Sequence, residues 1–112
     1  MPSRTNKHST LPKKIKIGHL SYQVKYVKDL RNDEGSRLYG QHRPSDQIIC
    51  LDADLSLERE KEVVLHELLH AIWCHYQLPK DNEERYVECI GNGLATIFAD
   101  NPKLRRFFDA SV

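Results

Sequence analysis

The sequence lacks the features that mark several large classes of protein. No apolar run approaches the roughly 18 residues of a transmembrane helix, so we expect no membrane span. Basic and acidic residues nearly balance, at 17 against 16, so no overall field attracts nucleic acid or an anionic membrane. The three cysteines form no Cys-x-x-Cys pair and cannot all pair with one another. The basic first ten residues precede no apolar stretch, which predicts a cytoplasmic protein without a secretory signal.

The first half of the chain has the pattern of β-strands. Apolar and polar residues alternate over residues 14–17 and 20–26, on either side of Gly18, which predicts a β-hairpin. Residues 37–42 and 47–52 have the pattern of two further strands. We therefore expect an antiparallel sheet of three or four strands.

The second half of the chain has the pattern of helices. Ser56 is a suitable N-cap for a helix over residues 57–76, and Asp81 or Asn82 can cap a second helix that runs to about Ala99. A short third helix is expected over residues 103–109. The predicted apolar stripe of the second helix consists of Val87, Ile90, Leu94, Ile97 and Phe98.

Strands followed by helices predict an α+β fold. The length suits a single domain over residues 13–112. Residues 1–12 have no periodicity and are basic, so we expect them to form a disordered arm.

The most informative segment is His66-Glu67-Leu68-Leu69-His70, which has the pattern HExxH. Positions four apart share a helix face, so the two imidazoles can bind one metal ion, and Glu67 is placed to act as a general base. The same segment could be a surface helix with two unrelated histidines. However, residues 63–76 are mostly apolar, and a largely buried helix must satisfy its polar groups, which a metal does directly.

A catalytic zinc site needs a third protein ligand, for which the candidates are Glu83, Glu84 and Glu88. The phase of the apolar stripe places Glu83 near the centre of the packed face. The competing interpretation of Glu83 is a solvated acid on the protein surface. The register of two antiparallel helices instead places Glu88 level with His70. We favour Glu88, with Glu84 as the second choice.

These motifs resemble the small single-domain zincins of bacteriophage and bacterial genomes that are related to the ImmA/IrrE-type metallopeptidases. The resemblance is carried by the strand-rich start, by residues 66–72 and by the helix of residues 83–98 with Asp100-Asn101-Pro102 after it. It implies a zincin-like fold and a zinc ion bound by His66, His70 and, by position, Glu88. For a phage-encoded protein it also implies the cytoplasm of a bacterial host.

The function expected from these residues is zinc-dependent hydrolysis of peptide bonds in a protein or peptide substrate, through a metal-activated water and with Glu67 as general base. His75, Tyr76 and Tyr39 are candidates for stabilising the oxyanion, and residues 47–52 for pairing with an extended substrate. The alternative is a zinc-binding interaction module without catalysis, in which four protein ligands would surround the metal. Nucleic-acid binding by the basic arm is a third and weaker hypothesis.

Overall fold

A four-stranded sheet followed by three helices makes up residues 10–110, which are the residues that the computed structural model describes. The elements are β1 (Lys14–Ile17), β2 (Leu20–Val27), β3 (Gly40–Arg43), β4 (Ile48–Asp52), α1 (Leu57–His75), α2 (Glu83–Asp100) and α3 (Pro102–Asp109). The predicted α+β order is confirmed. None of the helices in this part of the chain is long and apolar enough to cross a membrane.

The sheet has the strand order β1-β2-β4-β3 and is mixed, whereas an antiparallel sheet was predicted. β1 and β2 form the expected hairpin, and β3 and β4 form a second antiparallel pair. The second pair joins the first through β4, which runs parallel to β2. β4 therefore has strands on both sides and cannot pair with a substrate. The prediction that residues 47–52 pair with an extended substrate is wrong for this reason. The strand with a free edge at this end of the sheet is β3.

The connection between β2 and β3 is held against the end of β4. The carboxylate of Asp52 is buried and accepts a hydrogen bond of 2.8 Å from the guanidinium of Arg37. The main-chain N–H of Asp52 donates to the carbonyl of Tyr39, which extends the β3–β4 ladder by one residue. This connection fixes the position at which the edge strand begins.

The core lies between the sheet and α1. Ile17, Tyr22, Ile49, Leu51, Val63 and Ala71 form its buried cluster. Leu11 packs against this cluster, so the predicted disordered arm does not extend to residue 12. The rest of that prediction concerns residues 1–9, which lie outside the described residues.

α1 begins as predicted, because the Ser56 side chain accepts a hydrogen bond of 3.1 Å from the main-chain N–H of Arg59. The helix lies very close to the edge strand at Gly40. A Cβ atom at that position would lie 2.6 Å from Val63 Cγ1 and 3.0 Å from Glu67 Cγ. Glycine is therefore required there if the HExxH segment is to pack directly against β3.

α2 packs against α1 through Val87 and Gly91, both of which are buried. A Cβ atom at Gly91 would lie only 3.9 Å from the backbone of His66, so the two helices approach closely at this point. Two members of the predicted stripe, Ile90 and Ile97, are 41% and 45% exposed and lie off the packed face. The packed face of α2 is therefore rotated from the predicted one.

Candidate metal centre

Side chains from α1 and α2 bring three ligand atoms together. His66 Nε2 lies 2.7 Å from one carboxylate oxygen of Glu84, and His70 Nε2 lies 3.0 Å from the other. The two Nε2 atoms are 3.2 Å apart. Among the residues that the structure describes, the group of His, Cys, Asp and Glu side chains that could hold a metal ion consists of His66, His70 and Glu84.

The chemistry and spacing of these atoms fit a divalent cation. Two atoms that each bind a tetrahedral zinc ion at about 2.0 to 2.1 Å are about 3.3 Å apart, close to the observed separation of the two Nε2 atoms. Two imidazole nitrogens and a carboxylate oxygen are ligand types that zinc accepts. The three residues therefore fit the metal that the sequence pattern predicts.

The ring of His70 is oriented by a second carboxylate. His70 Nδ1 lies 2.7 Å from Glu83 Oε2, and this hydrogen bond keeps the proton on Nδ1 and leaves Nε2 free to bind a metal. Sequence reasoning had treated Glu83 mainly as a solvated acid. The sequence signal that pointed to Glu83 was its helical phase, which placed it near the centre of the predicted apolar face of α2.

We expect the Glu83→Gln variant to bind zinc about 10- to 100-fold more weakly than the wild type, as is typical when an outer partner of a ligating histidine is lost. The measurement is a zinc titration against a competing chelator. Glu58→Gln, an exposed substitution in the first turn of α1, is the matched control. Equal zinc affinity of the Glu83→Gln variant and the wild type would show that the hydrogen bond does not support the site.

Glu67 is only 7% exposed and lies under the edge strand. Its burial raises the pKa from the ordinary value of 4.5 to about 7, and the nearby charge of Glu84 acts in the same direction. His70 and a hydrogen bond from the main-chain N–H of His42 partly oppose this shift in pKa. A carboxylate with a pKa near neutrality, beside two histidines that could hold a metal ion, is suited to accept and return a proton.

The raised pKa of Glu67 predicts how the stability of the metal-free protein depends on pH. Between about pH 4.5 and 7 the folded state keeps a proton on Glu67 that the unfolded chain has lost. The free energy of unfolding should therefore fall as pH rises through this range, by on the order of 3 kcal/mol from this group. Urea unfolding of the wild type and the Glu67→Gln variant, both in chelator, measures the difference. An identical pH dependence in the two proteins would contradict the burial of Glu67.

A cleft of ≈ 620 Å³ opens beside these residues, between β3, α1 and α2. Glu88 lines it one turn beyond Glu84, but its carboxylate is not part of the group that could hold a metal. Tyr39 lies on its rim, with the guanidinium of Arg59 4.7 Å from the ring centroid. His42 of β3 also lines the cleft and was not singled out from the sequence.

The other two candidates for an oxyanion donor lie elsewhere. The His75 ring packs against His19, directly over Gly18 in the β1–β2 turn. Tyr76 is 62% exposed at the end of α1. Neither His75 nor Tyr76 is among the described residues that line the cleft.

The chain matches a known protein family. The family described as the IrrE N-terminal-like domain, a family of peptidases, matches residues 13–101. The matched region includes the whole sheet, α1 and α2, and therefore all the residues of the candidate centre. No curated protein and no solved structure matches the chain.

Proposed function

Because the chain belongs to the IrrE N-terminal-like family of peptidases, we propose that it is a zinc-dependent metallopeptidase that hydrolyses peptide bonds. The relation to the ImmA/IrrE-type metallopeptidases, expected from the sequence, is confirmed by the family match. The activity, the identity of the metal and the roles of individual residues are our proposals.

The observation that carries the proposal is the convergence of His66, His70 and Glu84 beside a buried Glu67 on the cleft. We propose these two histidines and Glu84, in place of Glu88, as the metal ligands. When bound, zinc would supply Lewis acidity, which polarises a substrate carbonyl and acidifies a water ligand. Three protein ligands favour an enzyme over an interaction module, since a structural zinc site is normally closed by four.

In this proposal Glu67 takes a proton from the attacking water and returns it to the leaving amine. Its position suits this role, because the main-chain N–H of His42 and the close approach at Gly40 hold the carboxylate at the cleft. Its raised pKa, about 7, suits both steps at neutral pH.

We further propose that an extended substrate binds along β3. The β3–β4 ladder pairs Gly40 with Leu51 and His42 with Ile49, and Tyr39 accepts a hydrogen bond from Asp52. Since hydrogen-bonded and non-hydrogen-bonded pairs alternate, the main-chain groups of Gly40 and His42 point away from β4. Glu67 uses the N–H of His42, so the groups of Gly40 remain for main-chain recognition of a peptide.

The test is hydrolysis of unfolded casein by purified protein that has been stripped with a chelator and reloaded with zinc. We expect new peptides by mass spectrometry with the reloaded protein and none with the stripped protein. Cleavage that persists after stripping would exclude a metal mechanism. Intact casein, and intact members of a mixed peptide library, after incubation with the zinc-loaded protein would contradict the proposed activity.

A further inference from the structure

We propose that His42 is a catalytic residue, whose neutral ring donates a hydrogen bond from Nδ1 to the carbonyl oxygen of the scissile peptide as negative charge develops there. This role rests on the proposed peptidase function. It concerns a residue outside the HExxH segment and on a different element of the fold.

The first support is the position of the side chain. Side chains alternate between the two faces of a strand, so His42 lies on the same face of β3 as Gly40. That face packs on α1, because a Cβ at Gly40 would contact Val63 and Glu67. His42 accordingly lines the same cleft as His66, Glu67 and His70.

The second support is the hydrogen bond that fixes the ring. The hydroxyl of Tyr22 lies 2.9 Å from His42 Nε2, and Tyr22 is only 2% exposed. Among residues 10–110, His42 is the one residue with which the Tyr22 hydroxyl forms a hydrogen bond. If Nε2 carried the proton, the buried phenolic O–H would have no acceptor, which costs about 1 to 3 kcal/mol. The Tyr22 O–H therefore donates to Nε2, and the proton of the neutral ring is on Nδ1.

The Nδ1–H of His42, a residue that lines the cleft, is then available as a hydrogen-bond donor. No hydrogen bond to another described residue occupies His42 Nδ1, and His42 is only partly buried. Burial is the main cause that lowers the pKa of His42, although Glu83 acts in the opposite direction, and the lowered pKa favours the neutral ring at pH 7. A fixed donor at the site of developing charge typically contributes about 10²- to 10³-fold to kcat.

Two substitutions of His42 separate this role from a structural one. His42→Leu and His42→Asn both remove the acceptor for Tyr22 and so share its cost in stability, but only asparagine places an N–H donor near the position of Nδ1. With a peptide that the wild type cleaves, we expect kcat to fall about 10²- to 10³-fold in His42→Leu and about tenfold or less in His42→Asn. Zinc affinity should be nearly unchanged in both.

Equal kcat for His42→Leu and the wild type would overturn the role of His42 and leave the peptidase function standing. Equal losses in the leucine and asparagine variants would also overturn it, because they would indicate a structural effect. Absence of cleavage by the zinc-loaded wild type would overturn the peptidase function and, with it, the role of His42.

The proton position provides a readout that is independent of activity. Ring ¹⁵N chemical shifts of the wild type, measured with and without zinc, should show Nδ1 of His42 protonated and Nε2 unprotonated. In Tyr22→Phe the proton should move partly to Nε2, because the donor that enforces the tautomer is gone. A protonated Nε2 in the wild type would overturn the proposal even if the His42 variants do not fold.

Discussion

Replacing Glu67 by glutamine should lower kcat of the zinc-loaded protein by about 10²- to 10⁴-fold, the contribution expected of a general base. Glutamine has nearly the same shape and can still fill the space beneath Gly40, but its amide cannot accept the proton of the attacking water. Zinc affinity should change little, because Glu67 is not in the group that could hold the metal.

The measurement is steady-state hydrolysis of a peptide that the wild type cleaves, with zinc content determined on the same samples. Glu62→Gln is the matched control, since Glu62 also lies on α1 at the cleft but forms an exposed pair with Arg59. It should retain most of the activity. A Glu67→Gln protein that contains zinc and hydrolyses the peptide at the wild-type rate would exclude Glu67 as the base.

Replacing Glu84 by glutamine should cause a large loss of zinc affinity. The carboxylate of Glu84 contacts both His66 and His70, so its loss should weaken zinc binding by more than the roughly 10- to 100-fold that an outer partner contributes. Glu88→Gln is the matched control on the same helix. It should bind zinc almost as tightly as the wild type.

Competition with a chromophoric chelator measures both affinities. Tight binding by Glu84→Gln together with weak binding by Glu88→Gln would mean that Glu88 is the third ligand, as helix register had predicted. The proposed donor set would then be wrong, although the two histidines and Glu67 could keep their roles.

The local features of the fold could be predicted because they depend on short-range geometry. The spacing of His66 and His70 is sufficient to place both rings on one face of any helix. The Ser56 cap, the hairpin around Gly18 and the break between α1 and α2 likewise depend on neighbours in sequence. Each of these was predicted close to its observed position.

The choice between Glu84 and Glu88 depended on the packed face of α2, which was misjudged because small residues were left out of the apolar stripe. The predicted stripe included Ile90 and Ile97, which are exposed, and omitted Gly91, which is buried against α1. At about 100° per residue, a face centred on Val87 and Gly91 passes closer to Glu84 than to Glu83 or Glu88. The level of the register was nearly correct, since Gly91 lies beside His66, but register was given more weight than the direction of the side chain.

The sheet topology and His42 could not be predicted, because both depend on contacts between residues distant in sequence. An alternating pattern indicates that a segment is a strand but does not identify its neighbours. β2 and β4 pair in parallel across a long connection, and this pairing makes β3 the edge strand. His42 reaches Tyr22 and the cleft only in that arrangement.

The most direct test of the metal centre is a crystal of the protein grown or soaked with zinc and measured on both sides of the zinc absorption edge. We expect one strong anomalous peak that contacts Nε2 of His66, Nε2 of His70 and the Glu84 carboxylate, at about 2.0 to 2.2 Å from each. An anomalous map without a peak between these side chains, in a crystal of the folded protein that has been exposed to zinc, would contradict the proposed centre.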